Sequence, residues 1–156
     1  QLRTIAVDLP DDYDPLDLDR QVCFPLYAAS NLLNRLYRRI LGALGLTYPQ
    51  YLVMLVLWKQ APQTVGSLGD MLHLDSGTLT PLLKRMELAG LISRTRDAGD
   101  ERRVLIGLTA KGRAFRSEAE KVPAILSSGL AIDEAAIAEL RDQVRSLVAM
   151  LQQARP

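Results

Sequence analysis

The sequence predicts a mainly α-helical chain carrying one small two-stranded β-ribbon. Three observations carry that prediction. Leucine and alanine dominate a composition that is 48% hydrophobic and 5% aromatic, and unbranched side chains lose little rotamer freedom in a helix. Apolar residues recur at three- and four-residue steps over most of the 156 residues, the helical period. Between residues 91 and 108 that period gives way to two short β-type runs joined by a polar turn.

The elements follow in order. Residues 1–15 read as an arm, because Asp8, Asp11, Asp12 and Asp14 with Pro10 and Pro15 oppose regular structure. From Leu16 to Leu44 the pattern is helical, with Leu26, Ala29, Leu33, Leu36 and Ile40 on one face and Gly42 and Gly45 as its end. Thr47 or Tyr48 caps a second helix with Pro49 in its first turn; its body, Tyr51 to Trp58, is apolar all round and reads as the buried centre. Ala61-Pro62 stops it. Thr64 caps a short helix, Val65 to Leu72, and His73-Leu74-Asp75 turns the chain. The next helix runs to Ala89 with Gly90 at C′. Its cap is Ser76 or, given Pro81, Thr80. Two strands, Leu91–Arg96 and Arg102–Leu108, flank the turn Asp97–Glu101. Thr109 caps a helix interrupted near Pro123 and ended near Gly129. Asp133 caps the last helix, where Ile137, Leu140, Val144, Leu147 and Leu151 form a narrow seam best explained by a partner helix.

Composition excludes several classes. A net charge of +1 confines any nucleic-acid role to local charge. No apolar run approaches the ~20 residues of a membrane span, and residues 1–15 lack the apolar core of a signal peptide. One cysteine allows no intramolecular disulfide and fits a reducing cytoplasm. One His and one Cys fall short of the usual zinc ligand set, and no cofactor is expected.

The order helix, short helix, turn, helix, β-ribbon is that of a winged helix-turn-helix, residues 47–109. Residues 16–46 and 110–156 then form a helical dimerisation region. From Lys84 to Arg116 there are nine basic residues against four acidic ones, whereas residues 1–19 hold six Asp and one Arg. One basic lobe on a near-neutral chain suits contact with double-stranded DNA. Ser76, Thr78, Thr80, Lys84 and Arg85 fit a recognition helix, Arg102 beside the turn fits a wing reaching a minor groove, and Arg103 is a further DNA-binding candidate. The bland alternative is a solvated surface on an interaction domain; the ordered helix pair beside a basic ribbon argues against it.

Residues 74–87 (Leu-Asp-Ser-Gly-Thr-Leu-Thr-Pro-Leu-Leu-Lys-Arg-Met-Glu), with Gly90-Leu91-Ile92, Arg94, Asp100-Glu101-Arg102-Arg103 and Leu108-Thr109-Ala110-Lys111-Gly112, resemble the MarR family of winged-helix repressors. Residues 46–52 (Leu-Thr-Tyr-Pro-Gln-Tyr-Leu) and Cys23-Phe24-Pro25-Leu26-Tyr27-Ala28 narrow the resemblance to its organic-hydroperoxide-sensing branch, the OhrR-type repressors. The resemblance implies a homodimer on a pseudopalindromic operator, released when an organic hydroperoxide oxidises Cys23. It also implies two tyrosines from the partner chain at the reactive sulfur, here Tyr37 and Tyr48.

Spacing bears on the same site. A lone cysteine is most often an inert small hydrophobe. Pro25, disfavoured inside a helix, suggests a helix starting near Phe24, which puts Cys23 where the helix dipole favours a thiolate; a kinked continuous helix would weaken that argument. Arg20, three residues upstream, would share the Cys23 face of a helix and favour the anion. Tyr37 follows Cys23 by 14 residues, on the same face but roughly 21 Å away. Two such helices packed antiparallel about a dyad near Ser30, where Ala28 and Ala29 are small, would bring Cys23 of one chain to Tyr37 of the other. His73 has no partner that suggests catalysis. Some family members carry a second, resolving cysteine in the C-terminal helices; Ser127 and Ser128 lie in about that region. The chain is then either a one-cysteine sensor finishing as a mixed disulfide with a small thiol, or one in which a cysteine has been replaced. Two competing readings remain: a repressor released by a small aromatic ligand, with Cys23 structural, and a thiol peroxidase, which lacks a resolving cysteine and a Thr/Arg motif.

Overall fold

A computed structural model describes residues 13–154; most of the expected arm, residues 1–12, lies outside them. By packing the chain divides into two units at Leu36–Tyr37, inside the first long helix.

In the first unit a 3-10 turn, Leu18–Arg20, precedes α1, Cys23–Gly42. The helix expected from Leu16 is therefore corrected. Asp14 and Asp17 accept from the backbone N–H two residues on, Leu16 at 2.9 Å and Asp19 at 3.1 Å, a local alternative to helix. Pro25 is the third residue of α1, where no donor is needed. The start at Cys23 meets the expectation. The Arg20 expectation fails: Arg20 lies outside α1, pairs with Asp17 at 3.7 Å and sits over the Tyr13 ring at 5.1 Å. Apolar side chains of this unit, among them Val22, Phe24, Tyr27 and Leu32, are exposed.

The second unit begins with the end of α1. Gly45 at φ +67 closes it, with Leu46 N–H on the Leu41 carbonyl (3.2 Å) and Gly45 N–H on that of Gly42 (3.1 Å). Leu41 and Leu46 are both buried, the contact that accompanies this C-cap. Then follow α2 (Tyr48–Lys59), β1 (Gln63–Thr64), α3 (Val65–Leu72), α4 (Ser76–Leu88), β2 (Ile92–Arg96), β3 (Val104–Leu108), α5 (Ala110–Ala114), α6 (Arg116–Ala119), α7 (Val122–Leu130) and α8 (Glu134–Gln153). Thr47 caps α2 in a reciprocal box with Gln50, and Thr64, Thr109 and Asp133 cap α3, α5 and α8 as expected.

Three details correct the sequence reading. The ribbon is three-stranded, order β1-β3-β2, because Gln63 and Thr64 pair with Ile106 and Leu105. Asp75, not Ser76 or Thr80, caps α4, accepting from Thr78 N–H at 2.8 Å. Pro81 stays inside that helix because Leu79, Leu82, Leu83 and Met86 are buried on both sides of it. The helix after Thr109 breaks at Phe115 as well as before Pro123, and α7 ends at left-handed Ala131 rather than Gly129. The core joins α2, α3, α4 and the sheet through Met54, Leu57, Leu68, Leu83, Ile92 and Ile106. Of the α8 seam, Leu140, Val144 and Leu151 are exposed and Ile137 and Leu147 half-buried, and no α8 residue is buried.

Candidate functional site

The α3–α4 pair is set by two left-handed turns. His73 at φ 54 ends α3, and Leu74 N–H returns to the Gly69 carbonyl at 3.0 Å. Gly90 at φ +75 ends α4, with Leu91 N–H on the Met86 carbonyl at 3.1 Å. Between them α4 buries one face and leaves Ser76, Thr78, Lys84 and Arg85 exposed, with Thr80 half-buried. The tip of the ribbon is built by its own carboxylates. Asp100 Oδ1 accepts from Arg102 N–H (3.1 Å) and Nε (3.3 Å), and Asp97 accepts from Gly99 N–H (2.9 Å) and pairs with Arg103 (3.8 Å). Arg102 is thereby oriented while its side chain stays 93% exposed. Such exposed pairs add little stability; their effect is to aim a cation outward.

The run Leu108–Gly112 is structural. Thr109 Oγ1 donates to the Gly90 carbonyl (2.6 Å), Lys111 Nζ donates to that of Ala89 (2.8 Å), and the Gly112 carbonyl accepts from Trp58 Nε1 (2.9 Å). These bonds tie the end of α4 to α5 and α2.

Tyr37 of α1 and Tyr48 of α2 stack with ring centroids 4.3 Å apart and planes 27° from parallel. Tyr51, one turn further along α2, lies 6.1 Å from Tyr37 and 6.5 Å from Tyr48. Burial, then the neighbouring phenols Tyr48 and Tyr51, push the Tyr37 phenol up to about 12 from its ordinary 10.0. Burial also raises Tyr48 and Tyr51. All three stay protonated hydrogen-bond donors at neutral pH. Because the folded value is raised, the native state keeps protons that the unfolded chain releases, so stability present below pH 10 is lost as pH rises towards 12. The melting temperature should fall over that window and Tyr37→Phe should flatten the fall; an unchanged slope would remove the tyrosine cluster as its cause. Cys23, the first residue of α1, is a free, exposed thiol.

Comparison with known proteins decides the family. Residues 35–118 match the model of the transcriptional regulator SarA/Rot family. The chain is 47% identical over 115 residues to the organic hydroperoxide resistance transcriptional regulator of Bacillus subtilis (strain 168), covering 74% of this chain and 78% of that one. It is 45% identical over 140 residues to the HTH-type transcriptional regulator TtmR of Methylorubrum extorquens (strain PA1), covering 85% and 72%. Among solved structures, AbfR of Staphylococcus epidermidis in its reduced, DNA-bound form is 39% identical with a TM-score of 0.69, over 83% of this chain and 93% of that one. The MarR structure, 24% identical with a TM-score of 0.68 over 83% and 96%, shares the fold. The chain belongs to the MarR family of winged-helix transcriptional regulators.

As a member of the MarR family it is a transcriptional regulator and not an enzyme. Of the residues singled out in sequence, Thr80, Arg102 and Arg103 meet along one cleft, and Tyr37 and Tyr48 stack. Two residues were missed. Tyr51 joins the tyrosine pair, and its spacing of three from Tyr48 on one helix was the available signal. Arg94 lines the cleft, facing the same side of the sheet as its partner Ile106; period-two counting from buried Ile92 would have found it.

Proposed function

We propose that this MarR-family chain is a cytoplasmic, homodimeric repressor that holds a pseudopalindromic operator and is released when an organic hydroperoxide oxidises Cys23. The observation that carries this reading is an exposed cysteine at the first residue of α1, on a chain 47% identical to an organic hydroperoxide resistance regulator. Two stacked, protonated tyrosines on the same chain are available to hydrogen-bond a partner's sulfur. The reaction needs no cofactor. The thiolate attacks one oxygen of the peroxide bond, that bond breaks, and the alkoxide leaves and takes up a proton as the alcohol. Cys23 is left as the sulfenic acid. A small cytoplasmic thiol then condenses with it to a mixed disulfide and water. Ser127 and Ser128 carry hydroxyls rather than thiols, so neither can resolve the sulfenic acid as a disulfide. Among the described residues no helix is long and apolar enough to cross a membrane. The deciding experiment is a DNA-shift assay with and without an organic hydroperoxide: loss of the shifted band supports the reading, and an indifferent band ends it.

The exposed residues of the α8 seam and the exposed apolar residues of α1 support the dimer. Light scattering at micromolar concentration should give twice the 17.3 kDa chain mass; a monomer would sink the assembly and with it the paired recognition helices about 34–36 Å apart. Ser76, Thr78, Thr80, Lys84 and Arg85 face the major groove in this reading, and Arg102 and Arg103 the minor groove. Arg85→Ala should cost about 1–3 kcal/mol of specific affinity if it reads a base. Arg102→Ala should lower the salt dependence of binding. Unchanged affinity in both variants would rule out this docking.

One observation favours a second reading. A cleft of about 540 Å³ between α2 and α6, lined by Tyr51, Leu55, Trp58 and Ala119, with Lys59 and the Arg116–Glu120 ion pair (3.5 Å) on its polar side, suits a small aromatic ligand. Protection against thermal unfolding by such a ligand, with no effect of peroxide, would favour it.

A further inference from the structure

A recognition helix in a major groove and a wing in the adjacent minor groove straddle one sugar–phosphate strand, because that strand is what separates the two grooves. In this chain the space between α4 and the wing is a cleft of about 510 Å³. Thr64 and Gly66 at the start of α3, Thr80 of α4, Arg94 of β2, and Arg102 and Arg103 of the wing line it, and no carboxylate is among its lining residues. Arg94 differs from the other two arginines. Arg102 is 93% exposed and Arg103 is paired with Asp97, whereas the Arg94 side chain is only 22% exposed. Its Nη1 rests 3.6 Å from Glu87, while its Nε is buried without a hydrogen-bond partner among the described residues. That Nε is closed to solvent, so a phosphate in the cleft meets the part of the guanidinium that the 22% exposed side chain presents there, where a charged donor bonds it strongly. Gly66 leaves bare backbone nearby: the nearest atom to a Cβ there would be Thr64 Oγ1 at 4.0 Å.

We propose that this cleft seats one DNA backbone phosphate per half-site, the one on the strand between the α4 and wing contacts, held by Arg94 with the Thr80 hydroxyl. The assignment rests on the DNA-reading function proposed above and adds Arg94 to it. Its partner is a phosphate, which carries no sequence information. Arg94 therefore sets affinity for any duplex, and Arg85 the choice among duplexes.

The test measures duplex affinity against salt for wild type, Arg94→Gln, Thr80→Val and Glu87→Gln, on operator and on unrelated DNA. It then uses operators with a single neutral methylphosphonate scanned along the backbone. Arg94→Gln should weaken both duplexes alike, on the order of tenfold, and lower the slope of log affinity against log salt by about 0.9 per half-site. One methylphosphonate position per half-site should weaken wild type but not Arg94→Gln. Thr80→Val should weaken binding in the same sequence-independent way at an unchanged melting temperature. Glu87→Gln should keep the slope; if it copies Arg94→Gln, Arg94 acts through that ion pair and the proposal is wrong. An unaltered slope in Arg94→Gln, or methylphosphonate penalties that persist in it at every position, also overturns the phosphate seat while leaving DNA reading intact. Wild type that binds no duplex overturns both.

Discussion

Cys23→Ser should bind the operator as wild type does and stay bound when cumene hydroperoxide is added, while wild type loses on the order of 10²–10³ in affinity. The substitution keeps the size of the side chain and removes its nucleophile. It sits at an exposed first position of α1, where no core packing is disturbed. Release in wild type needs a differential interaction between two states of the dimer. In the proposed mechanism oxidation would supply it by adding a polar oxygen, then the bulk of a small thiol, at a sulfur hydrogen-bonded by Tyr37 and Tyr48 of a partner protomer. Those bonds would then rearrange, the protomers would rotate, and the recognition helices would leave their groove spacing. A sulfur enclosed in an apolar interface of that dimer would favour a peroxide with an apolar tail over hydrogen peroxide. Tyr37→Phe should still bind DNA but respond more slowly, since it loses a donor to the sulfur and keeps the stacked ring. Release of Cys23→Ser by cumene hydroperoxide would put the sensor elsewhere in the chain.

What the sequence disclosed depended on range. Thr47, Thr64, Thr109 and Asp133 each bond an N–H within three residues, so their helix starts were readable from a few letters. Gly45 and Gly90 were readable for the same reason, being the positions where a positive φ is required. β1 was not, because two residues become a strand only by pairing with Leu105 and Ile106, some 40 positions on. Pro81 misled in the other direction. Its local cost pointed to a later helix start, but buried leucines before and after it outweigh one missing donor. Arg20 failed because a nearer carboxylate, Asp17, competes for it. Tyr37 came from its spacing to Cys23 and from family resemblance, Tyr48 from the resemblance alone; their stacking depends on the turn at Gly45 bringing α2 back beside the end of α1, which spacing along one helix does not encode. Arg94 was one of nine basic residues and part of the family motif; the period-two signal that sets it on the face of Ile92 was there in β2 but went unused, and its pairing with Ile106 makes that face plain.

Gly112→Ala should be the most damaging single-methyl change in the winged-helix unit. A Cβ on Gly112 would collide with the Leu91 carbonyl oxygen and stand 3.3 Å from Leu108 Cδ2. Neither side can yield cheaply. The Leu91 carbonyl is held by Thr109, through its N–H at 3.3 Å and its hydroxyl at 3.1 Å, and Leu91 N–H closes the end of α4 on Met86. The Gly112 carbonyl is held by the Trp58 indole at 2.9 Å. Relief must break one of these bonds or displace β2 from α5. The cost should be about 3 kcal/mol or more, at the upper end for overpacking a tight core, or roughly 6–12 °C in melting temperature for a chain of this size. Gly129→Ala is the matched control. It lies inside α7 with nothing within 4 Å of a Cβ, so the same methyl should be neutral or stabilise by about 0.4–1 kcal/mol through the unfolded chain. Both variants should be melted at the same protein concentration, because dissociation of a dimer would shift the midpoint. A Gly112→Ala variant that melts with wild type would show that α5 does not clamp the end of the recognition helix, and the run Leu108–Gly112 would then need a role at the DNA surface instead.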